Sequence, residues 1–185
     1  VSSLTSNQIS NPQLAAEAQR IGRDYDVLKQ QYDKLLQDRE QLRLRGKAFR
    51  GANFYLKKAA TTRNGLPWLA EEMREQALLC QQWLHAALTA APQDANTVTV
   101  AVTHFAPSLR SADPRYGLNP TTSGFCNALD DYLDHADFWL HGHLHCPSDY
   151  LHQAAGRTCR VLANPLGYAR KDEQAAFRPD LIITV

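Results

Sequence analysis

Between Leu14 and Leu42 the apolar and small residues return every four and three positions: Leu14, Ala18, Ile21, Tyr25, Leu28, Tyr32, Leu35 and Leu42, with Arg39 breaking the series at one seam position. A spacing that alternates between three and four is the signature of a long helix with one apolar stripe. The positions between are polar, among them Arg23, Asp24, Lys29, Gln30, Gln31, Lys34, Asp38 and Glu40, as a solvated face requires. Asn11-Pro12 supplies a start, because Asn accepts from an orphan N–H and Pro at the first helical position loses nothing. Gly46 supplies an expected stop. The stripe fits either a coiled-coil surface for self-association or a partner helix, or a long amphipathic helix lying on its own domain.

The remainder is unlike this segment. Residues 1–10 are polar and expected to be loose. Residues 47–66 are basic, rich in small residues, and end in Asn64-Gly65-Leu66-Pro67, which reads as a linker. A second helix is expected over 67–90, with Leu69, Met73, Ala77, Cys80, Leu84 and Leu88 facing a core and Trp83 adding bulk. Pro92 and Asp94-Ala95-Asn96 end it. The domain plan is therefore a helical segment at 1–46, a linker at 47–66, and an α/β domain at 67–185. Its partial sheet is expected at 97–103, 138–143, 150–152, 158–163 and 181–185, with a further helix at 124–135.

Composition narrows the function classes. Hydrophobic residues make up 44% and charged residues 21% of the chain, as in a globular protein. A net charge of +1 offers no attraction to nucleic acid or an anionic membrane surface. No apolar run reaches the ~18 residues of a membrane span, and no leader segment is evident. Cys80, Cys126, Cys146 and Cys159 form no Cys-x-x-Cys pair and read as reduced thiols of a cytoplasmic protein. A start at Val1 reads as that of a fragment, or of a processed or joined chain.

The chemistry-bearing residues gather after the first strand. Val98-Thr-Val-Ala-Val-Thr is nearly continuous in β-branched residues, as a strand buried on both faces should be, and it leads into His104. Asp137-Phe-Trp-Leu-His141 runs into Gly142-His143-Leu144-His145. On an extended chain positions i and i+2 point the same way, so His143 and His145 are expected to face one region, with Gly142 easing the backbone. Neutral imidazole is a common metal ligand, and a His-x-His pair plus a third His from a neighbouring strand end forms a partial coordination set. His141 is left out, because the glycine after it marks the strand's end. Ser108 lacks a nucleophile turn, so a Ser-His hydrolase is not expected. Asp130, Asp131 and Asp134 read as solvated, and His85, His135 and His152 as surface or packing residues.

Two family resemblances follow from these residues. Asn11-Pro-Gln-Leu-Ala-Ala-Glu-Ala-Gln-Arg-Ile, Arg23-Asp-Tyr-Asp-Val and Gln31-Tyr-Asp-Lys-Leu-Leu resemble the periplasmic coiled-coil region of bacterial polysaccharide chain-length determinant proteins over about 11–46, without that family's transmembrane helices. The order Val102-Thr-His-Phe-Ala-Pro-Ser, Pro114-Arg-Tyr, Trp139-Leu-His-Gly-His-Leu-His, Arg160-Val-Leu-Ala-Asn-Pro-Leu-Gly-Tyr168 and Leu181-Ile-Ile-Thr-Val resembles the C-terminal half of calcineurin-like metallophosphoesterases over about 66–185. That resemblance implies two divalent metals (Mn, Fe or Zn), a phosphoester substrate, and His104 and His143 on one metal with His145 on the other. It also implies that Asn164–Tyr168 borders the site. The family's Asp-x-His, Gly-Asp-x-x-Asp and Gly-Asn-His are absent; Gly51-Ala-Asn-Phe does not replace the last. Without a bridging carboxylate two cations repel, so at most one metal is expected here, and no catalytic residue is assigned. The implied phosphoesterase is then inactive as an isolated chain, unless a partner supplies the missing ligands. The alternatives are a non-enzymatic interaction module and a chimeric fragment.

Overall fold

The computed structural model describes residues 12–91, 96–154 and 156–184. Residues 1–11, the helix-ending stretch 92–95, Ala155 and Val185 lie outside them, and with them the expectations placed there. The chain divides into two compact units, Val1–Leu44 and Arg45–Val185. In the first, a single helix fills the described residues. This helix, α1, begins at Pro12 and runs to Lys58, so its last turns belong to the second unit.

The expected stop at Gly46 does not occur. A glycine inside a helix costs about 1 kcal/mol relative to Ala, which neighbouring turns absorb. The helix closes instead at Ala60, whose φ of 50° is left-handed. Ala60 N–H donates to the Lys57 carbonyl at 3.1 Å and Thr61 N–H to the Leu56 carbonyl at 3.0 Å. These are the two bonds of a Schellman motif, here with alanine where glycine is usual. Lys57 and Lys58 in the last turn suit the negative end of the helix dipole.

The stretch read as a linker is ordered in its second part as a small hairpin. Strands β1 (Thr62–Arg63) and β2 (Leu66–Pro67) pair antiparallel. Asn64 and Gly65, with φ of 54° and 79°, make the two-residue turn that Asn-Gly favours. Helix α2 (Ala70–Ala90) follows, beginning three residues later than expected. Asn53 from α1 accepts from the Ala70 N–H at 2.7 Å and so satisfies one orphan donor of α2. The buried face of α2 is narrower than its spacing promised: Ala70 and Leu88 are buried, while Trp83 is 71% exposed.

Four strands form the sheet that positions the histidines. They are β3 (Val100–Thr103), β4 (Phe138–His141), β5 (Ser148–Ala154) and β6 (Arg157–Ala163), in the order β3-β4-β6-β5. The first three in that order run parallel; β5 and β6 are an antiparallel hairpin that turns at Gly156, φ 79°. Register puts Ala101, Trp139, Val161, Cys159 and Tyr150 on one face. There they pack with Leu88 and Leu84 of α2 and with Tyr132, Leu133 and Ala136. The buried Trp139 indole donates to Thr103 Oγ1 at 2.9 Å, so its one polar atom is satisfied.

Three expectations are corrected here. The segment 124–135 is not an α-helix: a 3-10 turn, Pro120–Gly124, ends where it begins, irregular chain follows, and a second 3-10 turn spans Asp130–His135. Strand β3 is not buried on both faces: Ala101 is buried, but Val100 and Val102 are 44% and 72% exposed. Residues 181–184 form no strand. Upstream of them, the Asn164 side-chain amide clasps Arg178 through both its carbonyl and its N–H, at 3.0 and 2.8 Å.

Candidate functional site

His104 and His143 meet just beyond the C-terminal ends of two adjacent parallel strands, where open α/β sheets place their ligands. Strand β3 ends at Thr103, and the Gly142 N–H continues the ladder by donating to the His104 carbonyl at 3.1 Å. The chain then leaves the strand abruptly. Leu144 N–H donates to the Gly142 carbonyl at 2.8 Å, and His143, at the centre of this three-residue turn, has a φ of 63°. A γ-turn with positive φ is rare and strained, and strain of this sort is found at ligand clamps.

That turn corrects the alternation argument. Regular strand stops at His141, so His143 and His145 do not share a face by strand geometry. The positive φ also falls on His143 rather than on Gly142. The outcome is a pair, not a triad. His143 Nδ1 lies 2.9 Å from His104 Nε2, close enough for one ring to donate and the other to accept. Phe125 stacks on His143 at 5.4 Å and Phe105 lies 4.7 Å from it. Burial holds the His143 imidazole below its ordinary pKa, with smaller contributions from His104 and His145. It is therefore neutral near pH 7, the form with a lone pair to offer.

His145 goes elsewhere. Its Nδ1 contacts Glu173 Oε2 at 2.8 Å, and its ring meets the edge of Tyr168 at 4.5 Å. The Glu173 side chain is only 3% exposed and also accepts from the Tyr168 N–H at 2.9 Å. That backbone N–H, and then His145, hold its carboxyl below the usual range. With a carboxylate against it, Nδ1 is the donor of this contact, an arrangement also common among metal-ligating histidines. Arg115, paired at 2.6 Å with Asp113, stands 3.8 Å from the other Glu173 oxygen. Gly167, φ 68°, completes this corner: a Cβ there would collide with the Cβ of Glu173.

Glu173, Phe105 and Phe125 are the residues that sequence reasoning missed as site neighbours. Tyr168 carried a partial signal, as the end of a loop expected to border the site. Glu173 carried none; it belongs to no motif and reaches His145 only through the fold of 164–173. Asp130 and Asp134 are not merely solvated. Asp130 accepts from the Ser108 hydroxyl at 2.7 Å, and Asp134 takes His152 at 2.9 Å. Ser108 itself is buried and caps the 3-10 turn Leu109–Ser111. His141 is buried between Ser111 and Ser148, at 3.1 and 3.2 Å.

The fit to metal is partial. His104 and His143 are two nitrogen donors at one place, a start for one borderline-soft cation such as Zn²⁺. Among the described residues no group of three or more His, Cys, Asp or Glu side chains converges as a metal site. Glu173 is committed to His145 and Tyr168, so it does not bridge. A dinuclear centre does not fit this donor set, and no hydrolytic step is derived from one. No known protein family, curated protein or solved structure matches this chain.

Proposed function

We propose that the second unit carries what remains of a calcineurin-like phosphoesterase site, in which His104 and His143 take one divalent transition-metal ion and no phosphoester is turned over. The observation that carries this reading is the 2.9 Å approach of His143 Nδ1 to His104 Nε2 on a strained turn at two strand ends. A metal held there would polarise a phosphoryl oxygen, but a second ion and the carboxylate that joins the two are needed for in-line displacement. What this chain's own residues do is narrower. Phe105 and Phe125 pack beside the His143 ring, whose burial favours its neutral form. Glu173 holds His145 apart through its Nδ1.

The test is calorimetric titration with Zn²⁺ and Ni²⁺, together with elemental analysis and a generic phosphodiester assay in Mn²⁺. One ion per chain is expected, lost in His104→Ala and in His143→Ala, with no turnover in any sample. Little change is expected in His145→Ala. Two ions per chain with turnover that His143→Ala abolishes would replace this reading with that of a working enzyme.

A second reading has its own observation. Every residue of α1 from Leu14 to Arg45 is exposed, including the whole heptad seam. An interaction module built on that seam therefore needs no catalytic role for the histidines. Among the described residues no helix is long and apolar enough to cross a membrane, and the four cysteines are unbridged; a cytoplasmic setting belongs to this proposal.

A further inference from the structure

The seam of α1 carries enough charge pattern to name its occupant. In heptad notation the d positions are Leu14, Ile21, Leu28, Leu35 and Leu42, and the a positions are Ala18, Tyr25, Tyr32 and Arg39. All are exposed, from 59% at Ile21 to 67% at Leu42 among the large apolar members. The flanks differ in sign. Glu17, Asp24, Gln31 and Asp38 stand at g, and Ala15, Gly22, Lys29, Leu36 and Arg43 at e.

This division discriminates between arrangements. In a parallel, in-register pair each g residue faces the e residue five positions later on the other helix. Asp24 then meets Lys29 of the second copy, and Asp38 meets Arg43, twice each by symmetry. The remaining g–e pairs, Glu17 with Gly22 and Gln31 with Leu36, are neutral in sign. In an antiparallel pair g faces g and e faces e, which sets acid against acid and base against base. Arg43 is held within its own helix by Glu40 at 2.5 Å. That bond uses two of its five donors, leaving others for a second carboxylate. Arg39 at a limits strand number. At the rim of a two-stranded seam its guanidinium can reach water beside Asp38, whereas the axis of a trimer or tetramer would bury it. Residues 14–42 would run about 43 Å along such a pair at 1.5 Å per residue.

We propose that α1 pairs with a second copy of this chain as a parallel, in-register, two-stranded coiled coil over Leu14–Leu42. This rests on the second reading above, that the seam engages a helix, and adds the partner, the direction and the register.

The experiment uses the full chain with Cys80→Ser and Cys146→Ser, which removes the accessible thiols. Sedimentation equilibrium at micromolar concentration is expected to give twice the 20.7 kDa chain mass. Leu28→Glu is expected to return it to a single chain while leaving the second unit folded by near-UV circular dichroism. Leu42→Cys is expected to cross-link to itself on mild oxidation, and an equimolar mixture with Leu14→Cys to give no mixed product. Asp24→Lys with Asp38→Lys is expected to weaken association at least tenfold, and adding Lys29→Glu with Arg43→Glu to restore it. A disulfide joining a Leu14→Cys chain to a Leu42→Cys chain overturns the direction while keeping the seam as a helix-binding surface. A dimer that survives Leu28→Glu, or a monomer throughout, overturns the pairing and self-association through the seam together.

Discussion

Cys159 sits in the core at 1% exposure, and burial, with Asp137 nearby, pushes its thiol up to about 12. Burial also raises Cys126 and, with Asp113, the half-buried Cys146. Only thiolate attacks a disulfide reagent, so reactivity should follow exposure. With a chromogenic disulfide near pH 8 we expect Cys80 to react first, Cys146 more slowly, and Cys126 and Cys159 only on unfolding; early labelling of Cys159, read by peptide mapping, would mean that the sheet opens. Asp149 shows the other sign of shift. Two bonds from Arg160, at 2.9 and 2.8 Å, hold its carboxyl below the usual range across the β5–β6 hairpin. A lowered carboxylate contributes stability that is full above the unfolded value of about 4 and is lost as pH falls through the folded value. The pair is more than a third exposed, so salt should weaken it. Thermal midpoints followed by circular dichroism should therefore fall more steeply below pH 4 in the parent than in Asp149→Asn, and the difference should shrink in high salt.

At the scale of elements, two glycine-like decisions stand in the wrong places and make a paired test. Ala60 takes the left-handed conformation that an L-residue adopts at a cost of about 1–2 kcal/mol. Ala60→Gly should stabilise the end of α1 by about 1 kcal/mol. Gly22 lies in mid-helix with open space where a Cβ would go, and Gly22→Ala should add a similar amount. Both are read as urea midpoints and helical ellipticity; loss of stability in Ala60→Gly would mean that the Schellman closure is not the end of the helix in solution. The same residues explain what could be read from sequence. The apolar seam of α1 and strand β4 were legible because hydrophobic period and short apolar runs are local. The stop at Gly46 was not, because a tolerated glycine and a terminating glycine look alike until the closing bonds at Ala60 are seen. His104 was legible as a strand-end imidazole, whereas strand alternation paired His143 with His145, and only the family resemblance set His143 beside His104. The turning away of His145 was not legible, since it depends on Gly142–Leu144 leaving the strand and on Glu173 arriving from 28 residues later.

At the scale of the whole second unit, the two sheet faces are finished differently. Ala101, Trp139 and Val161 are buried against α2 and the Asp130–His135 turn, and Trp139→Ala should cost about 3–5 kcal/mol. On the opposite face Val100, Val102 and Leu151 keep 44%, 72% and 52% of their surface exposed. β3 is also the last strand of the sheet, with β4 as its one partner among the described strands. A β-branched, exposed edge strand is a template for pairing with another chain. A charge on the exposed face should remove that property without touching the core, because a substitution at so exposed a position shifts stability by no more than about 0.5 kcal/mol. Val102→Lys should therefore keep its thermal midpoint, bind less of an apolar fluorescent dye, and scatter less light on heating. The comparison is best made alongside Leu28→Glu, which acts on the α1 seam alone. Aggregation that falls in Val102→Lys but not in Leu28→Glu would locate the sticky surface on the sheet. A Val102→Lys protein that unfolds instead would mean that this face is covered in solution, and that the exposed strand belongs to an assembly rather than to a free edge.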